Sequence, residues 1–236
     1  MQTDDERILY AIRNTQILRP PKQTLATFGT TDIYYYLVTE PSYRELVDSS
    51  AETVIREGRV TAQRPKVITP SYLFNLEGFS SQARRYFEMV IGEHGPNAPG
   101  LLYRYRNEPK DLTIASDELG LVVKRLEEML DREGKPLTSI IKGVDELWDV
   151  CLMKFIHDLT ASSLRSNVME LGMSGLLDVD SSGVTRDARN EIEVLFQQVK
   201  RGEAEPSRLK VELDRWGLFP EYEDRFLALF KKRQSL

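Results

Sequence analysis

Residues 137–171 constrain the fold more than any other part of the sequence. Apolar residues recur along this stretch at the three- and four-residue spacing of a helix, and from 147 to 156 they nearly encircle the axis. A helix that is apolar almost all round has to be covered by other elements. We therefore predict that these residues form the buried central helix of the C-terminal half, about 50 Å long if unbroken, since each helical residue adds about 1.5 Å.

Short strands are the dominant pattern of the N-terminal half. Residues 33–39 are rich in β-branched and aromatic side chains, which favour strands. Residues 53–56 and 59–62 flank Glu57 and Gly58, a pattern typical of a hairpin. We therefore predict the α+β fold class, with a small antiparallel sheet in the N-terminal half packed with a predominantly helical C-terminal half of about five helices.

The change from strand-like to helical patterns places a division near residue 112. The predicted parts are an N-terminal α+β part, residues 1–112, and a helical bundle, residues 113–236. No long flexible linker separates the two parts in the sequence. Shared packing through the central helix would join them into one cooperative unit.

Composition excludes several classes of protein. The first residues lack the basic and apolar segments of a signal peptide, and the densest early apolar run, residues 33–38, is far too short to span a bilayer. One cysteine, Cys151, excludes an intrachain disulfide, and with two histidines it gives too few ligands for a Cys/His zinc site. We therefore expect a cytoplasmic protein with no membrane segment, no metal site and no cofactor.

Residues 178–183 resemble the opening of an EF-hand calcium loop. Oxygen-bearing side chains occupy the first, third and fifth loop positions, and a glycine occupies the sixth. The twelfth position, where a bidentate glutamate belongs, holds Arg189. Because a positive charge replaces the best ligand, we favour a turn whose Asp and Ser side chains bond their own backbone. We call these residues the EF-hand-like turn; cation binding there stays open.

Residues 54–106 combine basic side chains with aromatic rings, the pattern that favours single-stranded nucleic acid. Within this segment, residues 101–106 predict a strand with one tyrosine face and one arginine face. The alternative is that the rings face the core and the arginines form a solvated rim, which this alternation fits equally well. The candidate nucleic-acid- or anion-binding residues are Arg84, Arg85, Arg104, Arg106 and Tyr103.

Two further places hold residues that catalysis often uses. The glycine- and proline-rich loop 92–100 contains Glu93 beside His94, a candidate acid and base. Adjacent residues seldom point at one substrate, so a surface loop is the commoner explanation. Cys151 and His157 lie six residues apart on the predicted central helix and therefore on different faces. We predict no catalytic residue.

Three functions stay open on the sequence alone. The leading one is a cytoplasmic, non-catalytic binding or regulatory protein of unknown pathway, acting through contacts with a protein partner or a second copy of the chain. The second is a nucleic-acid- or anion-binding protein that uses the basic and aromatic residues of 54–106. The third is an enzyme of unknown type that uses the loop 92–100. The balance leans away from an enzyme because known catalytic signatures are missing.

Overall fold

A mixed five-stranded sheet forms the core of the first of two compact units in the computed structural model, which describes residues 3–45, 51–75, 80, 85, 88, 91–93 and 95–231. Unit 1 comprises Met1–Arg64 and Tyr103–Asn167, and unit 2 comprises Pro65–Leu102 and Val168–Leu236. Each unit is therefore built from two separate segments of the chain.

The strands lie in two sheets. In chain order they are β1 (Gln16–Arg19), β2 (Thr31–Thr39), β3 (Thr53–Ala62), β4 (Lys66–Ile68), β5 (Gly100–Leu102), β6 (Tyr105–Ala115) and β7 (Thr138–Lys142). β4 and β5 pair in unit 2, and the other strands form the sheet of unit 1 in the order β1-β7-β2-β3-β6. The predicted α+β class is confirmed. The sheet is mixed rather than purely antiparallel because β7, from the C-terminal half, runs parallel to β2.

The helices lie mostly in the C-terminal half, as predicted. In chain order they are α1 (Asp4–Asn14), α2 (Pro70–Phe74), α3 (Leu119–Glu133), α4 (Trp148–Met173), α5 (Arg186–Arg201), α6 (Pro206–Arg215) and α7 (Phe219–Lys231). Side-chain caps start three of the described helices: Thr3 forms a capping box with Glu6, Thr69 accepts a hydrogen bond from the N–H of Tyr72, and Thr185 accepts one from the N–H of Ala188. No helix within the described residues is both long and apolar enough to cross a membrane.

The prediction of one helix over residues 137–171 is wrong for its first part. The start of this stretch forms β7, and α4 begins only at Trp148. Ile140 and Ile141 are both fully buried but lie on opposite faces of the sheet, Ile140 beside α3 and Ile141 beside α4. A short strand covered on both faces has the same unbroken apolar run as a buried helix, so periodicity alone did not separate them.

The predicted hairpin at Glu57 and Gly58 is also wrong, because β3 runs through both residues without a turn. Gly58 serves close packing instead. A Cβ atom at this position would overlap the hydroxyl and ring of Tyr35, which is only 1% exposed. Glycine therefore occupies position 58 because the ring of Tyr35 leaves no room for a side chain, and not because the chain turns there.

Residues 101–106 belong to two strands rather than to the single strand predicted. β5 ends at Leu102 and β6 begins at Tyr105, and the two strands belong to different units. Residue 112, where the sequence analysis places its division, lies inside β6.

The two faces of the unit 1 sheet are covered by different helices. On one face, the alternate residues of β2 from Ile33 to Leu37 pack with the apolar side of α4. On the other face, Tyr36 and Val38 pack with α3. Tyr34 lies nearer the start of β2 on that same face and stays 36% exposed. α3 therefore leaves part of its face of the sheet open.

Unit 2 has a core of its own beside β4. Phe196 of α5 and Leu209 and Leu213 of α6 are fully buried there. The carboxylate of Asp187 is also buried and accepts a hydrogen bond from the N–H of Val67 at 3.2 Å. This bond fixes the start of α5 to the edge of β4.

Candidate functional site

A cleft on the α3 side of the unit 1 sheet is the candidate binding site. Its floor carries the rings of Tyr34 and Tyr36, with Glu57 and Lys110 on one side and residues 135–138 on the other. We call this the tyrosine cleft. Its volume is about 460 Å³, within the range of roughly 300–1,000 Å³ that small-molecule sites occupy.

Strand pairing explains why these residues meet. β2 runs parallel to β7 and pairs Tyr34 with Thr138. Since side chains alternate between the two faces along a strand, Tyr34, Tyr36 and Thr138 all lie on the α3 side. α3 ends at Gly134, whose left-handed conformation turns the chain back. Lys135 therefore reaches the rim of the cleft just before β7 begins.

Thr138 contributes a buried hydroxyl without a partner. The residue is 2% exposed, and within the described structure its Oγ1 forms no hydrogen bond. Leaving a buried hydroxyl unpaired costs roughly 1–3 kcal/mol, so such groups are rare in folded proteins. Thr138 lines the tyrosine cleft, but its Oγ1 has almost no accessible surface, so a bound molecule can supply the missing partner only once neighbouring side chains of the lining move.

Two lysines and one glutamate give the cleft its charge. Lys110 Nζ lies 3.3 Å from Glu57 Oε1 and 5.4 Å from the centre of the Tyr34 ring. Lys135 Nζ lies 2.6 Å from Glu133 Oε2. The two lysine side chains are 53% and 54% exposed, so both ion pairs are weak and can rearrange around a ligand.

The Tyr36 phenol is held in its protonated form. Burial raises its pKa above the ordinary value, and the carboxylate of Glu57 raises the pKa further, whereas the ammonium of Lys135 opposes this with a smaller effect. The phenol is therefore a hydrogen-bond donor at neutral pH. Together with the hydroxyl of Thr138 and the ammonium of Lys110, it makes the cleft rich in donors.

The sequence analysis missed the tyrosine cleft because its residues come from separate parts of the chain. Tyr34 and Tyr36 are predicted there only as strand residues, and their spacing of two is the one local signal that they share a face. Lys110 and Thr138 carry no local signal. They reach the cleft only through the pairing of β6 with β3 and of β7 with β2.

Tyr103, the predicted base-stacking residue, makes internal contacts. Its hydroxyl donates a hydrogen bond to Asn167 Oδ1 at 2.7 Å. Its ring stacks on Tyr105, with 6.4 Å between ring centres and 7° between ring planes. Burial, with a smaller effect from Tyr105, raises the pKa of Tyr103 to about 12. The hydroxyl is therefore protonated and already bonded within unit 1.

The structure describes three of the four candidate arginines. Arg104 and Arg106 are exposed near the start of β6, and Arg106 forms an ion pair with Glu108 of the same strand. Arg85 is exposed and belongs to unit 2, and Arg84 lies outside the described residues. Nucleic-acid or anion binding by these residues stays a prediction.

The EF-hand-like turn is closed by Arg189. Asp180 Oδ1 accepts hydrogen bonds from the N–H of Ser182 at 2.8 Å and of Val184 at 3.0 Å. Its other oxygen, Oδ2, accepts one from Nε of Arg189 at 2.9 Å. Burial raises the pKa of Asp180, but these hydrogen bonds together lower it by more, so the carboxylate is ionised. The guanidinium thus supplies the positive charge that calcium supplies in an EF-hand loop.

Cys151 and His157 lie on different sides of α4. Cys151 is fully buried, and its Sγ accepts a hydrogen bond from the N–H of Val144 at 3.3 Å, whereas the His157 side chain is 81% exposed. In the loop 92–100, Glu93 is exposed and His94 lies outside the described residues. Across the described ranges, no group of three or more His, Cys, Asp or Glu side chains is placed to hold a metal ion.

Three features coincide at the tyrosine cleft: a volume suited to a small molecule, the exposed ring of Tyr34 and a lining residue with an unpaired buried hydroxyl. Neither the EF-hand-like turn nor the pair Cys151 and His157 combines such features. No family model, no curated protein and no solved structure matches this chain.

Proposed function

We propose that this protein is a binding protein and that the tyrosine cleft takes a small molecule. The observation that carries the proposal is Thr138, a lining residue of the cleft whose buried hydroxyl has no partner in the described structure. A buried hydroxyl is stabilised once a ligand atom bonds it. The unpaired group therefore supports a bound state in which the cleft is filled.

The apolar parts of the cleft support the same proposal. Tyr34 is 36% exposed although it lies in the middle of the sheet, next to a strand on either side. Tyrosine rings give a large, rigid contact area at a small cost in conformational entropy. Pro136 and Leu137 add an apolar wall. A flat molecule placed on these groups would bury most of its surface, as small-molecule sites require.

This proposal keeps the non-catalytic binding role that the sequence favours, and it makes a small molecule the primary ligand. Regulation of a protein partner, or of a second copy of the chain, by the bound molecule is part of the proposal. A cytoplasmic location is part of it as well, since the composition is that of a cytoplasmic protein.

A fragment screen with a matched variant tests the proposal. Small aromatic fragments that bind the full chain, detected by ligand-observed NMR, are expected to bind Tyr34→Ala about 10-fold more weakly, because about 1.4 kcal/mol of ring contact is lost. Tyr10→Ala removes a more exposed tyrosine, 56% exposed on α1, and is expected to leave fragment binding unchanged. Circular dichroism establishes that both variants stay folded.

Two results would contradict the proposal. One is that no fragment binds the full chain at millimolar concentration. The other is that Tyr34→Ala and Tyr10→Ala bind the same fragments with the affinity of the unchanged protein, which would place binding outside the tyrosine cleft.

A further inference from the structure

The polar groups of the tyrosine cleft are mainly hydrogen-bond donors. The ammoniums of Lys110 and Lys135 donate, as do the phenol of Tyr36 and the hydroxyl of Thr138. Among the lining residues described, Glu57 is the one carboxylate, and it already accepts a hydrogen bond from Lys110 at 3.3 Å. A lining rich in donors is complementary to a ligand group that only accepts hydrogen bonds, and an ionised carboxylate is such a group.

The two ammonium groups supply hydrogen bonds that a carboxylate accepts, although Glu57 and Glu133 balance their charge. Lys110 and Lys135 bring two positive charges to the lining against the single negative charge of Glu57. The C-terminal end of α3 and Glu133 lie near Lys135 and by themselves favour a cation. Each ammonium, however, has three N–H donors, so a lysine bonded to its own carboxylate keeps donors for a ligand.

The shape of the cleft limits the rest of the ligand. The rings of Tyr34 and Tyr36 line the cleft, and its volume of about 460 Å³ suits one or two fused rings with a substituent. Thr138 pairs with Tyr34 across the sheet, so its unpaired hydroxyl lies beside the exposed ring.

We infer that the ligand of the tyrosine cleft is a small planar aromatic molecule that carries one carboxylate. This inference rests on the proposed function and adds the ligand's chemistry to it. The ring lies on Tyr34, and the carboxylate accepts hydrogen bonds from Lys110 and Lys135. The hydroxyl of Thr138 bonds a further polar atom of the ligand.

Three probe molecules with the same ring system separate the contribution of ligand charge to affinity from the contribution of ring contact. Naphthalene-2-carboxylate, naphthalene-2-carboxamide and 2-(aminomethyl)naphthalene share a ring system and differ in charge. In calorimetric titrations of the full chain at moderate salt, the carboxylate is expected to bind about 10-fold more tightly than the amide, and the cationic amine more weakly than the amide.

Variants assign the preference to the lysines. Lys110→Met and Lys135→Met are each expected to weaken carboxylate binding about 3- to 10-fold and to weaken amide binding by a smaller factor, because a charged acceptor forms the stronger hydrogen bond with an ammonium. Glu57→Gln is expected to strengthen carboxylate binding about 3-fold, because it removes the negative charge of the lining. Partial unfolding of the Glu57→Gln variant would not increase its affinity for the carboxylate. Lys124→Met, at an exposed position of α3, is the matched control and is expected to change neither probe.

The outcomes distinguish this inference from the proposed function. Equal binding of carboxylate and amide, or tightest binding of the amine, overturns the inference and leaves a small-molecule site in place. Binding of other fragments but of none of the naphthalene probes does the same. If no fragment binds at all, both the inference and the proposed function fall.

Discussion

Replacing Asn167 with leucine is expected to lower the free energy of unfolding by about 2–4 kcal/mol. Asn167 is 1% exposed, and its Nδ2 donates hydrogen bonds to the carbonyl of Leu25 at 2.9 Å and to Thr27 Oγ1 at 2.7 Å. Its Oδ1 accepts the hydroxyl hydrogen bond of Tyr103. Leucine has a similar size, but it removes the bond from the buried groups of Leu25 and Thr27 and from the half-buried hydroxyl of Tyr103.

Urea unfolding followed by circular dichroism measures this change. The matched control is Arg165→Leu, an exposed position two residues earlier in α4, where we expect a change within about 0.5 kcal/mol. Tyr103→Phe is expected to cost less in the Asn167→Leu protein than alone, because the bond between the two side chains is already lost. Equal effects of Asn167→Leu and Arg165→Leu would show that this hydrogen-bond network does not stabilise the fold.

Replacing Gly58 with alanine is expected to lower the free energy of unfolding by about 2–3 kcal/mol. The added methyl group would overlap the hydroxyl and ring of Tyr35. Tyr35 is 1% exposed, and its hydroxyl donates a hydrogen bond to Asn107 Oδ1 at 3.1 Å, so the ring has no free space to enter. Relief of the overlap therefore requires β2 and β3 to separate locally.

Gly120→Ala is the control for this prediction. A Cβ atom at Gly120, in α3, meets nothing within 4 Å. Alanine is the better helix former, so Gly120→Ala is expected to raise the free energy of unfolding by up to about 1 kcal/mol. If thermal unfolding shows that Gly58→Ala destabilises the protein and Gly120→Ala stabilises it, the packing of Tyr35 against β3 is supported. A neutral Gly58→Ala would contradict it.

The sequence predicted the fold class because its local signals are strong. The β-branched and aromatic residues of β2 indicated a strand, and the caps and stops of the C-terminal half indicated helices. The errors fall where packing from both sides decides the structure. Ile140 and Ile141 are buried on opposite faces of β7, which gives the sequence a helix-like apolar run. Gly58 looks like a turn residue because its contact with Tyr35 is not local.

The candidate site was harder to predict than the fold. Its groups come from β2, β3, β6, the start of β7 and the chain between α3 and β7, so no short motif contains them. The missing partner of Thr138 is a property of the folded chain and has no counterpart in the sequence. Arg189 is the converse case. It stands where an EF-hand loop has its twelfth residue, which already indicated that the sequence departs from a calcium site, and in the structure it bonds Asp180.

The most direct test of the account is a paired measurement on Thr138→Val. Valine keeps the shape of threonine and removes the unpaired hydroxyl. We expect the free protein to be more stable by about 1 kcal/mol. We also expect naphthalene-2-carboxylate, or the fragments that bind the unchanged protein, to bind the variant more weakly. If the hydroxyl of Thr138 bonds a ligand, removing it therefore raises the stability of the free protein and lowers its affinity for the ligand.

Thr39→Val is the control for this measurement. Thr39 is as deeply buried, but its hydroxyl donates a hydrogen bond to Asp145 Oδ1 at 2.8 Å, so its loss is expected to destabilise the protein and leave binding unchanged. Greater stability with weaker binding in Thr138→Val is the result that the account predicts. Lower stability with unchanged binding, as expected for Thr39→Val, would contradict the central claim that Thr138 belongs to a ligand site.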